Sequence, residues 1–398
     1  MRFEISLLLY CLSLAAGEAT AAAAPGFSSA WPAVAVVLAL AVLAGHAFAV
    51  PLWRHAAMFL LGLTVFFAAE AERGETLRFS PWLRGMRRRE MRMDPGRSLP
   101  PAARAVRDDI SRRVGIGLER QPEAAAINRA LLLGEKSGIP RETRNAFVRS
   151  GTIHVFAISG LHVMIVAGLL AHMLSALLVP RRFAGAAALP AVWAYVFIIG
   201  APPSAVRAAA MASLRFAAPV FWRKPSDLTA WSLTFLAVHL AKPGNIEDVG
   251  CRLSFAVMLA VIAACRFAER LPRGWRRRLS VGAATWAAGL PIAAQAFGRI
   301  TPGGLVANIA LVPAAGFAVH AGALGALSSC VSERLAAHFN NAAALVAGAM
   351  EGISRAVASL PGANFEVCAW TWAECAAYYA AIAGAAFIAH GVRSRRCI

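Results

Sequence analysis

Two histidines and a serine stand in the first half of an uncharged segment. The run from Ile153 to Leu178 contains no charged residue, yet it carries His154, Ser159 and His162. On a continuous helix, Ser159 and His162 would lie about 60° apart, and His154 about 80° from His162. A serine beside a histidine is typical of nucleophilic catalysis, and two histidines can bind zinc. We do not expect catalysis, because no acidic third partner stands at a suitable spacing. We do not expect metal binding, because two histidines eight residues apart are not at the usual ligand spacing on one helix.

The length of this segment changes the meaning of its polar residues. It exceeds the roughly 20 apolar residues that a helix needs to cross a bilayer. Gly160 directly follows Ser159 and could break the helix there. Polar groups are costly in hydrocarbon and often mark a transport path, but small polar residues also join helices by hydrogen bonds. Lining of a path and packing between helices therefore both stay open for this segment.

Three further polar residues stand near the ends of other apolar runs. Arg207 follows the break at Pro202 and Pro203. It is expected to contact phosphate, to pair with a carboxylate such as Asp248, or to extend its charged end to the membrane interface. Asp248 is expected to cap the start of a helix, and Arg252 adds a positive charge beside it. We group these residues with the segment above as a predicted translocation path or outer mouth: His154, Ser159, Gly160, His162, Arg207, Asp248 and Arg252.

Composition predicts an all-α polytopic membrane protein. Hydrophobic residues make up 59% of the chain, charged residues 15%, and the mean hydropathy is +0.58. Apolar windows suggest about 10–12 transmembrane helices, with broken or re-entrant helices in the core. The stretch 300–331 is expected to have a kinked or re-entrant start, and 339–358 could instead lie on the membrane surface. The seven cysteines show no metal-ligand spacing, so no metal and no cofactor is expected.

Basic residues predict the orientation. They concentrate in alternate loops, at 181–182, 223–224, 266–278, 334 and 393–396. The opposite loops carry Lys242 and Arg299. Since positive loops face the cytoplasm, we expect the chain to cross the inner membrane several times, with residues 70–152 outside. All the predicted path residues and the turn at 301–304 would then lie toward the outer surface.

A cluster of arginines lies in that outer segment. Six positions are expected to attract DNA or lipid headgroups, with the two partners equally plausible: Arg84, Arg87, Arg88, Arg89, Arg92 and Arg97. An amphipathic helix is predicted over residues 101–119. The net charge of +19 fits either partner.

Several blocks in order resemble the ComEC family of competence proteins, the inner-membrane channels for DNA uptake in natural transformation. The segments ALLLGEKSGIP and SGTIHVFAISGLHVMIVAG carry the resemblance. It continues through GAPPSAVRAAAMASL, KPSDLTAWSL, DVGCRLSFAVM and LPIAAQAFGRITPGGLVANIALVP, and it covers roughly residues 124–391. Family sequences usually carry an aromatic residue and a glutamine where this chain has Cys251 and Arg252.

The resemblance implies a channel that imports single-stranded DNA without covalent chemistry of its own. A transporter or flippase of another polyanion or lipid, a hydrolase using Ser159 and His162, and a non-competence relative remain alternatives. Long family members carry an OB-fold and a metallo-β-lactamase-like nuclease, and neither is recognisable here. We therefore expect a separate DNA receptor, nuclease and cytoplasmic motor as partners, besides membrane lipids and a possible homo-oligomer.

The sequence suggests four regions. They are N-terminal transmembrane helices at 1–69, a basic extracytoplasmic segment at 70–123, the ComEC-like domain at 124–391, and a basic cytoplasmic tail at 392–398. The first apolar stretch, near 5–22, could pass for a signal peptide. We expect it to remain as the first span.

Overall fold

A computed structural model describes residues 99–241, 248–269 and 274–382. The predicted N-terminal helices, the arginine cluster from Arg84 to Arg97 and the C-terminal tail lie outside the described residues. The described chain is built from α-helices and one very short strand pair. The prediction of an all-α fold is therefore confirmed.

The helices follow one another with short connections. In chain order they are α1 Pro101–Val114, α2 Pro122–Leu133, α3 Arg141–Arg149, α4 Gly160–Ala176, α5 Arg181–Ile198, α6 Pro203–Ala217, α7 Asp227–Ala241, α8 Val249–Ala268, α9 Trp275–Phe297, α10 Gly303–Ser328 and α11 Glu333–Ser359. Two 3-10 turns, Ile153–Phe156 and Ala218–Phe221, precede α4 and follow α6. Strand β1 (Arg299–Ile300) pairs antiparallel with β2 (Phe365–Glu366), and residues 372–382 are helical.

Helices α1 to α3 pack into the same core as the helices that follow them. Val114, Ile127, Leu131 and Phe147 are almost completely buried, in one cluster with residues of α4, α5, α10 and α11. Helix α2 is apolar around most of its circumference, which is typical of a helix with neighbours on every side. The predicted helix in 101–119 is present as α1, and its Arg107 is buried in an ion pair with Glu135.

A long hairpin of α10 and α11 forms the other side of the core. Small residues let the two helices approach closely: a Cβ at Gly325 would lie 2.1 Å from Oδ1 of Asn340, and one at Gly303 would lie 2.9 Å from Val357. Because α11 buries one whole face against α10 and α2, it is a core helix of the bundle. This packing therefore favours a place for residues 339–358 inside the bundle over a place on the membrane surface.

The structure shows where the break considered near Gly160 falls, and it corrects the kinked or re-entrant start expected for 300–331. The run from Ile153 to Leu178 is not one helix, because the 3-10 turn and residues 157–159 precede α4. The stretch 300–331 contains one continuous helix, α10, whose start follows the turn at 301–302. Proline lacks an amide hydrogen and is tolerated at a helix start, so the helix can begin directly after Pro302.

Two of the described helices are long and apolar enough to cross a bilayer, namely α8 and α10. Helix α4 is apolar but shorter. The predicted count of about 10–12 spans stays a prediction.

Candidate functional site

Ser159 and His162 form the start of α4. The backbone N–H of Ser159 donates to Nδ1 of His162 at 3.2 Å, and the Ser159 hydroxyl lies 2.9 Å from the same nitrogen. Ser159 is the N-cap residue of α4 and not part of the helix, so the expected helical angle between the two side chains does not apply. The pair closes the first turn of the helix, as a capping box does.

The capping contact fixes the proton on the other nitrogen of the histidine. Since Nδ1 accepts from the Ser159 N–H, the neutral ring carries its proton on Nε2. His162 is 2% exposed, and its Nε2 has no hydrogen-bond partner within the described residues. The imidazole thus offers one buried donor that a further group can use.

His154 stands on the 3-10 turn and not on α4. Its side chain lies against the backbone of Gly151 and within electrostatic range of His162. Gly160, the first residue of α4, packs against Ala208, where a Cβ would lie 3.4 Å from the Cβ of that alanine. The tertiary structure therefore brings His154, Ser159 and His162 together, but by a turn instead of one helical face.

Arg207 lies buried between α6 and α8. It is 5% exposed and donates to the carbonyl of Gly250 at 3.0 Å. Its guanidinium carbon lies 5.8 Å from the ring centre of Phe255, and its Nε has no hydrogen-bond partner in the described part of the chain. Of the alternatives stated for Arg207, the ion pair with Asp248 does not form within the described residues, and the guanidinium donates to a backbone carbonyl.

Asp248 and Arg252 contact different groups at the start of α8. Asp248 is the N-cap, and its Oδ1 accepts the N–H of Cys251 at 2.6 Å, as the sequence predicts. Arg252 donates to Oε1 of Gln295 at 2.9 Å, and its guanidinium lies 4.7 Å from the ring centre of Trp372. The carboxylate thus serves the helix, while the cation joins α8 to α9 and to the helical residues 372–382.

The contacts of these residues close into a ring, which we call the polar ring. Four contacts link its parts: Gly151 with Thr301, Ile158 with Ser204, Arg207 with Gly250, and Arg252 with Gln295. Short stretches of chain connect one contact to the next. His154, Arg207, Arg252 and Thr301 lie on this line of contacts. The other predicted path residues, Ser159, Gly160, His162 and Asp248, lie within four residues of it along the chain.

Four helices begin at the polar ring, namely α4, α6, α8 and α10. The first amide groups of a helix have no partner inside it, and the aligned peptide dipoles place about half a positive charge at that end. Helices α5, α7 and α9 end beside these starts, and their opposite dipole ends offset part of this charge. Arg207 and Arg252 therefore supply most of the preference for anions at the ring.

Sequence reasoning missed several buried polar groups around the ring. His239, in the last turn of α7, stacks on Phe235 and lies 5.9 Å from Phe255, close to Arg207. Thr152 lies 3.3 Å from Ser354, which ties the loop before the 3-10 turn to α11. Single serine, threonine and histidine residues in apolar runs carry no spacing signal, so only the packing reveals these contacts.

Three aromatic side chains join separate parts of the chain by hydrogen bonds. The Tyr195 hydroxyl donates to the carbonyl of Leu132 at 2.7 Å, and Trp286 donates to that of Thr301 at 3.1 Å. Trp193 is 40% exposed and donates to Ser213. We expect the first two to hold helices in place.

Comparison with known proteins decides the family. The family model described as Competence protein matches residues 131–391. The chain belongs to the competence protein family. This confirms the resemblance carried by the sequence blocks.

Curated competence proteins resemble part of the chain. It is 29% identical over 203 residues to "ComE operon protein 3" of Bacillus subtilis (strain 168), covering 51% of this chain and 26% of that protein. It is 33% identical over 178 residues to "Competence protein ComA" of Neisseria gonorrhoeae, covering 42% and 24%. An uncharacterized protein of Aquifex aeolicus (strain VF5) is 31% identical over 179 residues, covering 44% and 41%. The chain thus spans about a quarter of the two named relatives. No solved structure matches.

Proposed function

We propose that this protein is a multi-pass component of the cytoplasmic membrane that passes single-stranded DNA into the cell in natural transformation. Membership of the competence protein family supports a role in DNA uptake. The two named relatives carry competence or ComE in their names, and the aligned part is a quarter of their length. The channel function of this chain is therefore our inference from its own residues.

The polar ring is the observation that carries the proposal. Four helix starts and the buried cation Arg207 meet there, and the Nε2–H of His162 is a buried donor without an acceptor in the described residues. Phosphate oxygens are acceptors that bear negative charge, and guanidinium and helix N-termini both bind them well. A chain of phosphates moving past this ring would meet favourable electrostatics at each step.

Such contacts suit a strand of any sequence. Binding by backbone charge does not read the bases, and it weakens as the salt concentration rises. No covalent step is needed, so we propose a path and not an enzyme. We propose a cytoplasmic motor as a separate partner, since the printed sequence contains no GxxxxGK[ST] nucleotide-binding motif. A DNA receptor and a nuclease would be further partners.

The membrane location is part of the proposal. The hydropathy of the whole chain and the two helices long enough to span a bilayer support it. The family blocks lie in apolar runs that alternate with basic loops, which is typical of multi-pass membrane proteins.

The test is DNA uptake in a competent host that lacks this gene. Labelled extracellular DNA should fail to reach the cytoplasm in a DNase-resistant form, and the wild-type gene should restore it. Arg207→Ala should not restore uptake, whereas Arg120→Ala, which replaces an exposed arginine outside the ring, should. Immunoblots of membrane fractions must show equal amounts of each variant.

Unchanged uptake in the deletion strain would refute the proposal and favour a carrier of another polyanion or of lipid. Normal uptake with Arg207→Ala would remove that residue from the path. Arg207→Lys, which keeps the charge but not the planar fork, should give intermediate uptake.

A further inference from the structure

Two neighbouring turns expose large apolar side chains. Leu177 and Leu178, after α4, are 73% and 91% exposed, while Phe221 and Trp222, after α6, are 73% and 83% exposed. Leu178 and Trp222 have positive φ angles of 65° and 58°, which side chains other than glycine and asparagine rarely adopt. The described residues leave these four apolar side chains largely uncovered.

The two turns form one surface, which we call the tip surface and define as residues 177–183 and 221–224. The guanidinium carbon of Arg182 lies 4.5 Å from the ring centre of Trp222 and 4.4 Å from that of Phe183. Below it, Gly185 packs against Phe216, where a Cβ would lie only 2.8 Å from the ring. The close approach of α5 and α6 therefore holds the turns together.

The tip surface is strongly basic. Arg181, Arg182, Arg223 and Lys224 are all exposed, and none forms an ion pair across the described ranges of the chain. An arginine stacked on an aromatic face leaves the edge of its guanidinium free, and that edge matches the oxygens of a phosphate. The surface thus presents apolar side chains and unneutralised cations side by side.

We propose that the tip surface binds the headgroups of anionic phospholipids. The leucines and Trp222 would enter the interfacial layer, where tryptophan is enriched, while the four cations contact the phosphates. A dissolved polyanion would use the cations and leave the apolar side chains in water. A bilayer interface satisfies both, because its charged and apolar layers lie within a few ångströms of each other. The proposal rests on the membrane location of the chain but not on DNA transport.

The experiment uses the full-length protein purified in detergent. Native mass spectrometry would measure binding of dioctanoyl phosphatidylglycerol and of dioctanoyl phosphatidylcholine, with inorganic phosphate as a competitor. Wild type should prefer the anionic lipid. Arg182→Gln should weaken phosphatidylglycerol binding about fivefold, since each basic side chain near an anionic surface contributes on that order. It should weaken phosphatidylcholine binding less, because the choline group neutralises the phosphate of that lipid.

Two further variants make the outcome decisive. Trp222→Ala should weaken binding of both lipids, because it removes the inserted ring. Arg120→Gln replaces an exposed arginine about 60 residues before the tip surface, and it should change the binding of neither lipid. Equal binding of the two lipids by wild type, unchanged binding with Arg182→Gln, or displacement by equimolar phosphate would each overturn the proposal.

The lipid result is independent of the proposed transport. If the protein binds both lipids equally but DNA uptake still requires Arg207, the tip-surface proposal alone is refuted. If the protein prefers the anionic lipid but the deletion strain takes up DNA normally, the channel proposal alone is refuted.

Discussion

Gly151 offers a direct test of the polar ring, because it stands where the loop after α3 meets the start of α10. Its φ is +75°, and a Cβ placed on it would lie 2.6 Å from Oγ1 and 2.8 Å from Cβ of Thr301. Rotation about χ1 can move Oγ1, but the Cβ of Thr301 is fixed by its own backbone and stays in the way. Gly151→Ala must therefore strain the backbone, push Thr301 aside, or do both.

The expected loss of stability follows from these two costs. A left-handed backbone costs an alanine about 1–2 kcal/mol, and forcing an extra methyl group into a packed site costs about 1–3 kcal/mol. The sum is about 2–5 kcal/mol. At about 2–4 °C per kcal/mol, the midpoint of thermal unfolding should fall by at least about 4 °C. DNA uptake should fall too, since the start of α10 would move relative to His154.

The assay compares detergent-solubilised variants by size-exclusion chromatography after heating. Gly168→Ala is the matched control, because Gly168 lies in α4 with no atom within 4 Å of its would-be Cβ. Alanine is the better helix former by about 1 kcal/mol, so this variant should be as stable as wild type or more so. Equal midpoints for Gly151→Ala and wild type would refute the close contact and with it the ring.

Three other changes test the surrounding structure. Asn340→Ala removes a buried amide that donates to the carbonyls of Arg113 and Ile116 at 2.8 and 3.0 Å, so the free energy of unfolding should fall by about 1–3 kcal/mol. The control Asn341→Ala, at the exposed neighbour, should lower it by less than about 0.5 kcal/mol. Equal effects of the two variants in thermal unfolding would contradict this account. Tyr379→Phe removes the hydroxyl that donates to the carbonyl of Ala288 at 2.7 Å, near Pro291 in α9. The free energy of unfolding should fall by about 1 kcal/mol in the same measurement. An unchanged midpoint would show that this hydrogen bond does not contribute to stability. A serine-directed covalent probe should leave the wild-type protein unlabelled if Ser159 only caps α4; labelling that disappears in Ser159→Ala would establish a nucleophile there.

Some elements of the structure follow from local patterns. Asp248 was expected to cap a helix, and its carboxylate accepts the backbone N–H of Cys251, three residues along the chain. This could be predicted because capping depends only on the residues that directly follow. The break near Ser159 and Gly160 and the break at Pro202 likewise mark helix starts, since glycine and proline act on the backbone at their own position. The ordered blocks of sequence also identified the family.

Other contacts depend on residues far apart in the chain. Arg107 pairs with Glu135 and reaches the carbonyl of Ile198, although nothing in its own helix distinguishes it from the exposed arginines nearby. Arg207 donates to the carbonyl of Gly250 and not to the side chain of Asp248, because the axial offset between α6 and α8 decides which group it meets. The spacing of residues in one segment cannot predict such an offset, because it results from the packing of several helices at once.

The sequence by itself determined the helical class, the helix boundaries at glycine, proline and capping residues, and membership of the competence protein family. These follow from the periodicity and chemistry of short segments. Only the tertiary structure decided that Gly151, Ser204, Gly250 and Thr301 meet in one ring, and that Leu178 and Trp222 share one exposed surface. Both arrangements depend on close approaches between distant helices, where a single methyl group or hydroxyl decides which surfaces fit.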